Sequence, residues 1–259
     1  MRKYKLTIAY DGTRYFGWQI QNERKTIQEE IQQAVKIILK EDIIITASGR
    51  TDACVHAIGQ VAHFTYSKDF DQKKFLYSLN CLLSEDIKVT EIEEVPISFH
   101  ARYSATSKIY QYHISLDKIQ NPFTRYYSYT PNKDLDLTIM KNAITYFLGT
   151  HDFSSFSNKQ YSGCAKNKPI KTIFRIDIIE NENKIILEFE ADGFLYKMVR
   201  NIVGTLLDVS SKKISLDSIE KILNAKDRRK ASAPAEPQGL FLFKVNYNNL
   251  SGMSSNVSK

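Results

Sequence analysis

The sequence is short of the residues that mark several protein classes. With 10 Gly and 6 Pro among 259 residues, it has neither a collagen repeat nor the load of a low-complexity linker. Its three cysteines, Cys54, Cys81 and Cys164, form no C-x-x-C pair, which excludes a disulfide framework and a cysteine zinc site and fits a reducing compartment. No apolar run reaches the roughly 20 residues that a membrane helix needs. Met1 to Lys5 lead into alternating residues without an apolar core, so no signal peptide is expected and the expected location is the cytoplasm. His56, His63, His100, His113 and His151 share no ligand spacing and read as structural or surface residues. G-x-G-x-x-G, P-loop, G-x-S-x-G and H-E-x-x-H motifs are missing. Neither cofactor nor metal is expected.

What is present is ordinary globular material: 42% hydrophobic and 25% charged residues, in a chain long enough for one large domain or two fused smaller ones. Its 36 basic against 29 acidic residues give a charge of +7. That surplus points to a polyanionic partner, nucleic acid first, or to nothing more than a basic surface.

Periodicity supplies the elements. Residues 5–10 alternate as a strand ended by Asp11-Gly12. A helix is expected from Thr26, where Thr26-x-x-Glu29 forms a capping box and Ile27, Ile31, Ala34, Val35, Ile38 and Leu39 make one face. Strands are expected over 43–46, 60–66 and 87–95, with a helix over 75–83. The second half repeats the grammar: a strand over 107–116, a helix over 135–148 stopped at Gly149, a hairpin of 170–180 with 184–191, helices over 194–209 and 216–224, and a strand from Leu240 to Val245. The expected fold is α+β, two similar mixed halves (1–104 and 105–247) sharing a continuous, mostly antiparallel sheet with helices packed on it. Residues 248–259 are expected to be a disordered tail.

The segment Gly49-Arg50-Thr51-Asp52-Ala53-Cys54-Val55-His56-Ala57 follows a short buried strand. Arg50 and Asp52 stand two residues apart, and a neighbouring cation keeps a carboxylate ionised. Such a carboxylate can serve as nucleophile or base. An Arg–Asp pair that merely braces a turn has the same pattern.

These nine residues closely resemble the G-R-T-D-x-G-V-H-A signature of TruA-type tRNA pseudouridine synthases. Other stretches resemble that family in order: Tyr10-Asp11-Gly12-Thr13 through Phe16-Gly17-Trp18-Gln19 and Gln21; Phe99-His100-Ala101-Arg102 through Lys108, Tyr110 and Tyr112; Gly149 to Phe153; Met198-Val199-Arg200-Asn201-Ile202-Val203-Gly204; and Ala233-Pro234-Ala235 through Gly239-Leu240-Phe241-Leu242. The resemblance covers nearly the whole chain. It implies the pseudouridine synthase fold and a cofactor-free isomerase, an intramolecular transferase acting on uridines 38, 39 and 40 in the anticodon arm of tRNA, usually as a homodimer. It further implies Asp52 as catalytic nucleophile, Arg50 beside it and Arg200 as its second cation. Tyr110 would stack on the uracil, and Leu240, with Leu242, would form an apolar wall.

The run Asp227-Arg228-Arg229-Lys230 is a candidate phosphate patch or a solvated face. Cys54 departs from the signature, standing where the family usually carries glycine. Two other readings remain: an RNA-binding protein without catalysis, and a related synthase with another RNA target.

Overall fold

The computed structural model describes residues 1–158 and 169–248; Cys164 and the expected tail from 249 onward lie outside them. The described residues form an α+β fold of nine strands and five α-helices. Two compact units divide it, one of residues 1–107 with those from Phe241 on, the other Lys108–Leu240.

In the first unit the strands run in the order β4-β1-β3-β9: Ile87–Val95, Arg2–Tyr10, His56–Tyr66 and Leu240–Tyr247. Antiparallel pairing sets β1 against β3 and β4. The parallel pair is β3 with β9, His56 opposite Phe241 and Ala57 opposite Leu242. That pairing draws the last strand into the first unit, whereas the sequence alone placed it with the second half. β1 buries Tyr4, Leu6, Ile8 and Tyr10 on one face, the period-2 pattern of a strand with one face in a core.

Helix α1 (Ile27–Leu39) buries Ile27, Ile31, Ala34, Val35 and Leu39, as the 3.6-residue spacing requires. Its expected capping box does not close. Thr26 is the N-cap residue but makes no side-chain cap, and its hydroxyl is fully buried without a hydrogen-bond partner among the described residues. The backbone of the preceding loop caps the helix instead: Ile27 N–H donates to Gly17 O (3.2 Å) and Gln28 N–H to Trp18 O (3.0 Å). Helix α2 (Gln72–Leu82) starts with a real side-chain cap, the Asp71 carboxylate accepting from Lys73 and Lys74 N–H at 2.9 and 3.1 Å. The strand expected over 43–46 shrinks to β2, Thr46–Ala47, pairing with His63 and Ala62.

The second unit has the strand order β5-β8-β7-β6, all antiparallel: Ala105–Ser115, Lys184–Ala191, Ile170–Asn181 and Gly149–Asp152. The expected hairpin is present, with Asn181 opposite Lys184 and residues 182 and 183 as its turn. The helix expected over 135–148 is shorter. α3 spans Leu137–Ile144, capped by the Asp136 carboxylate, and Thr145–Phe147 continue as a 3-10 turn. Gly149 follows at φ +91 and opens β6. Helix α4 (Met198–Ser210) is buried along most of its length, and α5 spans Ser218–Ala225. No helix among the described residues is long and apolar enough to cross a membrane.

Candidate active site

The Gly49–Ala57 loop is held by contacts the sequence did not advertise. Upstream, Ser48 N–H donates to Val61 O (2.7 Å), its hydroxyl donates to Gln60 Oε1 (2.8 Å), and Gln60 Nε2 donates to Gly49 O (3.0 Å). At the centre, Tyr10 Oη and Thr51 Oγ1 share a buried hydrogen bond of 2.8 Å. Burial pushes the Tyr10 phenol up to about 12, against the opposing hydrogen bonds from Thr51 and Gln60, so it stays protonated across the physiological range. Downstream, the buried His56 ring stacks on Phe241 at 4.7 Å, and its Nδ1 accepts from Gly12 N–H at 3.1 Å.

Two glycines of the Tyr10–Gln21 segment press against this loop. A side chain on Gly12 would place its Cβ 2.1 Å from Val55 O. One on Gly17, at φ +87, would lie 2.5 Å from Thr51 O. Trp18 N–H donates to Thr51 O (3.1 Å) and Cys54 N–H to Tyr15 O (3.2 Å). The N-terminal motif is thus the backing plate of the Asp52 loop, which explains why the two stretches occur together in one sequence.

Arg50 and Asp52 share this loop in the first unit. Asp52 is half-buried, and its carbonyl accepts from Val55 N–H (3.2 Å), closing a tight turn. Arg50 is exposed, and its Nε donates to Gln19 Oε1 at 3.0 Å. Gln19, from the Tyr10–Gln21 segment, thus holds Arg50, a contact that the sequence pattern does not announce. Cys54 has φ +61, the left-handed region that favours glycine. Its thiol points at Thr13 O, 3.5 Å away.

Tyr110, Arg200 and Leu240 belong to the second unit. Tyr110 is buried on β5, opposite Phe189, with its ring edge-to-face with Phe194 at 5.0 Å. Arg200 is a buried arginine on α4, where an uncompensated charge would be costly; its Nε donates to Ala235 O at 2.7 Å, and Ala235 N–H returns to Arg200 O at 2.9 Å. A Cβ on Gly204 would meet Ala233 O at 2.0 Å, so the Ala233–Ala235 stretch lies directly on the helix that carries Arg200. Leu240 is buried, as is Leu242 in the first unit.

Of the candidate phosphate patch, Arg228 is tied into the structure, while Arg229 and Lys230 are exposed. Arg228 donates to Asn201 Oδ1 (2.8 Å), Asn158 Oδ1 (3.3 Å) and Ala231 O (3.1 Å), and burial lowers its pKa. Arg229 pairs with Asp227 at 2.8 Å, holding that carboxyl down at about 2. Among the described residues no group of three or more His, Cys, Asp or Glu could hold a metal ion.

A family model described as tRNA pseudouridine synthase matches residues 6–104 and 143–248, a span that holds Asp52, Arg50, Arg200 and Leu240. The chain belongs to the tRNA pseudouridine synthase family. It is 51% identical to tRNA pseudouridine synthase A 1 of Protochlamydia amoebophila, over 97% of this chain and 99% of that one. It is 44% identical to tRNA pseudouridine synthase A of a Thermoanaerobacter strain, over 95% and 100% of the two chains. With tRNA pseudouridine synthase A 1 of Bacillus cereus it shares 41% identity, over 96% and 100%. The matched blocks leave out 105–142, so Tyr110 lies between them.

Proposed function

We propose that this isomerase converts uridines of the anticodon arm of tRNA, at positions 38, 39 and 40, to pseudouridine, with Asp52 as its catalytic carboxylate. The observation that carries the reading is the Asp52 loop: a half-buried carboxylate on a turn clamped from both sides by backbone and by the Tyr10–Thr51 hydrogen bond. A clamped loop holds its nucleophile at a fixed distance and angle without ordering cost during reaction.

The chemistry is an isomerisation. The C1′–N1 bond breaks, the uracil turns, and C1′ joins C5; C5 loses its proton and N1 gains one. Nothing is oxidised, and a carboxylate beside the sugar with a pocket for the detached base suffices. Attack on C1′, addition to the ring and removal of a ribose proton are the three routes open to Asp52. The target uridine is extruded from its stack to be reached. Arg50, held by Gln19, guides the extruded nucleotide; Tyr110 stacks on the base; Arg200 supplies a second cation and Leu240 an apolar wall. The enzyme works as a homodimer in the cytoplasm.

The test is tritium release from tRNA carrying C5-tritiated uridine. Wild type releases tritium and Asp52→Ala does not, with pseudouridine mapping to positions 38–40. Equal release from both proteins, or none from either, overturns the assignment.

A further inference from the structure

Beside the nucleophile loop lies an aromatic–cation pair that the reaction as described does not use. Phe16 precedes Gly17, the residue whose backbone abuts Thr51 O and the Asp52 peptide. Phe16 is 47% exposed. Arg24 lays its guanidinium over the Phe16 ring at 4.8 Å. The loop between them is closed by Phe16 N–H donating to Lys25 O (2.9 Å), Gln21 Nε2 donating to Phe16 O (2.8 Å), and a bridge between Gln21 and Arg24.

The neighbouring cations are neutralised: Arg14 by Asp86 (2.7 Å) and Lys25 by Glu30 (2.8 Å). The Arg24 side chain is exposed and makes neither hydrogen bond nor ion pair among the described residues. A guanidinium with its donors open, lying over the ring of a half-exposed phenylalanine, offers the two surfaces a nucleotide needs. Its phosphate takes a fork of N–H donors, and its base takes a π-face.

We infer that Phe16 and Arg24 form a second nucleotide subsite, which holds the base and phosphate of an unpaired RNA nucleotide flanking the target uridine. The inference rests on the RNA-modifying reading above. The backing of Gly17 against the Asp52 loop fixes the subsite relative to the nucleophile, so engaging it places the strand in register for extrusion.

The experiment measures equilibrium binding of a short RNA hairpin with a uridine-containing loop by fluorescence anisotropy, over a series of salt concentrations. Phe16→Leu, which keeps apolar bulk but loses the π-face, weakens binding about tenfold, and Phe16→Trp retains it. Arg24→Gln lowers the slope of log Kd against log salt by about 0.7 to 1, and Arg24→Lys keeps the slope. Unchanged affinity for Phe16→Leu, equal weakening by Phe16→Trp, or an unchanged slope for Arg24→Gln overturns the subsite. So does a wild type that fails to bind the hairpin. Tritium release is scored separately. Wild type that binds the hairpin yet releases no tritium from tRNA overturns the catalytic reading, while the variants still decide the subsite.

Discussion

Replacing Cys54 by glycine tests whether the loop needs a left-handed residue or a thiol. At φ +61 an L side chain costs about 1 to 2 kcal/mol in the folded state. Glycine removes that cost but gives the unfolded chain more freedom to lose, about 0.5 to 1 kcal/mol. The thiol's contact with Thr13 O is long at 3.5 Å, and losing it with a half-buried Cβ and Sγ costs about 0.5 kcal/mol. These terms nearly cancel, so Cys54→Gly should stay within about 0.5 kcal/mol of wild type. Cys54→Ala keeps the backbone cost and loses the sulfur, dropping by about 0.5 kcal/mol. Cys54→Val adds a β-branch to a left-handed residue and should fall by a further 1 kcal/mol or about that. The chain's single tryptophan, Trp18, is buried and donates its backbone N–H to Thr51 O, so its fluorescence reports on this loop during urea denaturation. The expected order of midpoints is Gly equal to Cys, then Ala, then Val, with tritium release by Cys54→Gly equal to wild type. An alanine variant more stable than the glycine variant, or a dead Cys54→Gly enzyme, refutes the reasoning and shows a loop rebuilt around cysteine.

Gly17→Ala forces a Cβ to 2.5 Å from Thr51 O at φ +87; the backbone must move, costing about 3 kcal/mol or more, and activity should be lost while hairpin binding measured at low temperature survives in part. Thr26→Val removes a buried hydroxyl that has no partner among the described residues. It should be neutral or slightly stabilising in urea, whereas a working cap would lose about 1 kcal/mol. His63 is held down to about 4 by burial first, then by His100 and Lys3. Its folded pKa lies below the unfolded value near 6.5, so its contribution is full above about pH 6.5 and lost as pH falls toward 4. The unfolding free energy from urea denaturation should drop over that window by up to about 2 kcal/mol, and His63→Asn should flatten the drop; an unchanged profile in the variant would assign the acid sensitivity elsewhere.

Much of this fold was legible because its elements declare themselves locally. The alternation over Ile87–Val95 and the 3.6-residue spacing of Ile27, Ile31, Val35 and Leu39 are read directly from side-chain order, and β4 and α1 follow them. The failures came where local chemistry had a competitor. Thr26-x-x-Glu29 has the residues of a capping box, yet the carbonyls of Gly17 and Trp18 reach the helix N–H groups first. The run Ile43–Thr46 has β-branched residues enough for a strand, yet pairing is limited to Thr46 and Ala47 opposite β3. Arg228 sits in a run that reads as a charged surface, but Asn201 and Asn158 take up its donors, while Arg229 stays exposed.

For the site, the sequence by itself determined which residues are candidates: Asp52 and Arg50 two apart, Arg200 in an apolar helix, Tyr110 on a strand, and the ordered motifs that name the family. Only the tertiary structure decided why they come with Gly12, Gly17, Gly204 and the Ala233–Ala235 stretch. Backbone approaches of 2.0 to 2.5 Å to a would-be Cβ join segments roughly 30 to 40 residues apart, and no spacing rule records contacts made across that distance. The same holds for Gln19 on Arg50 and for the left-handed turn at Cys54. A conformation and a neighbour are properties of the folded backbone, and the side-chain order that writes helices and strands carries neither.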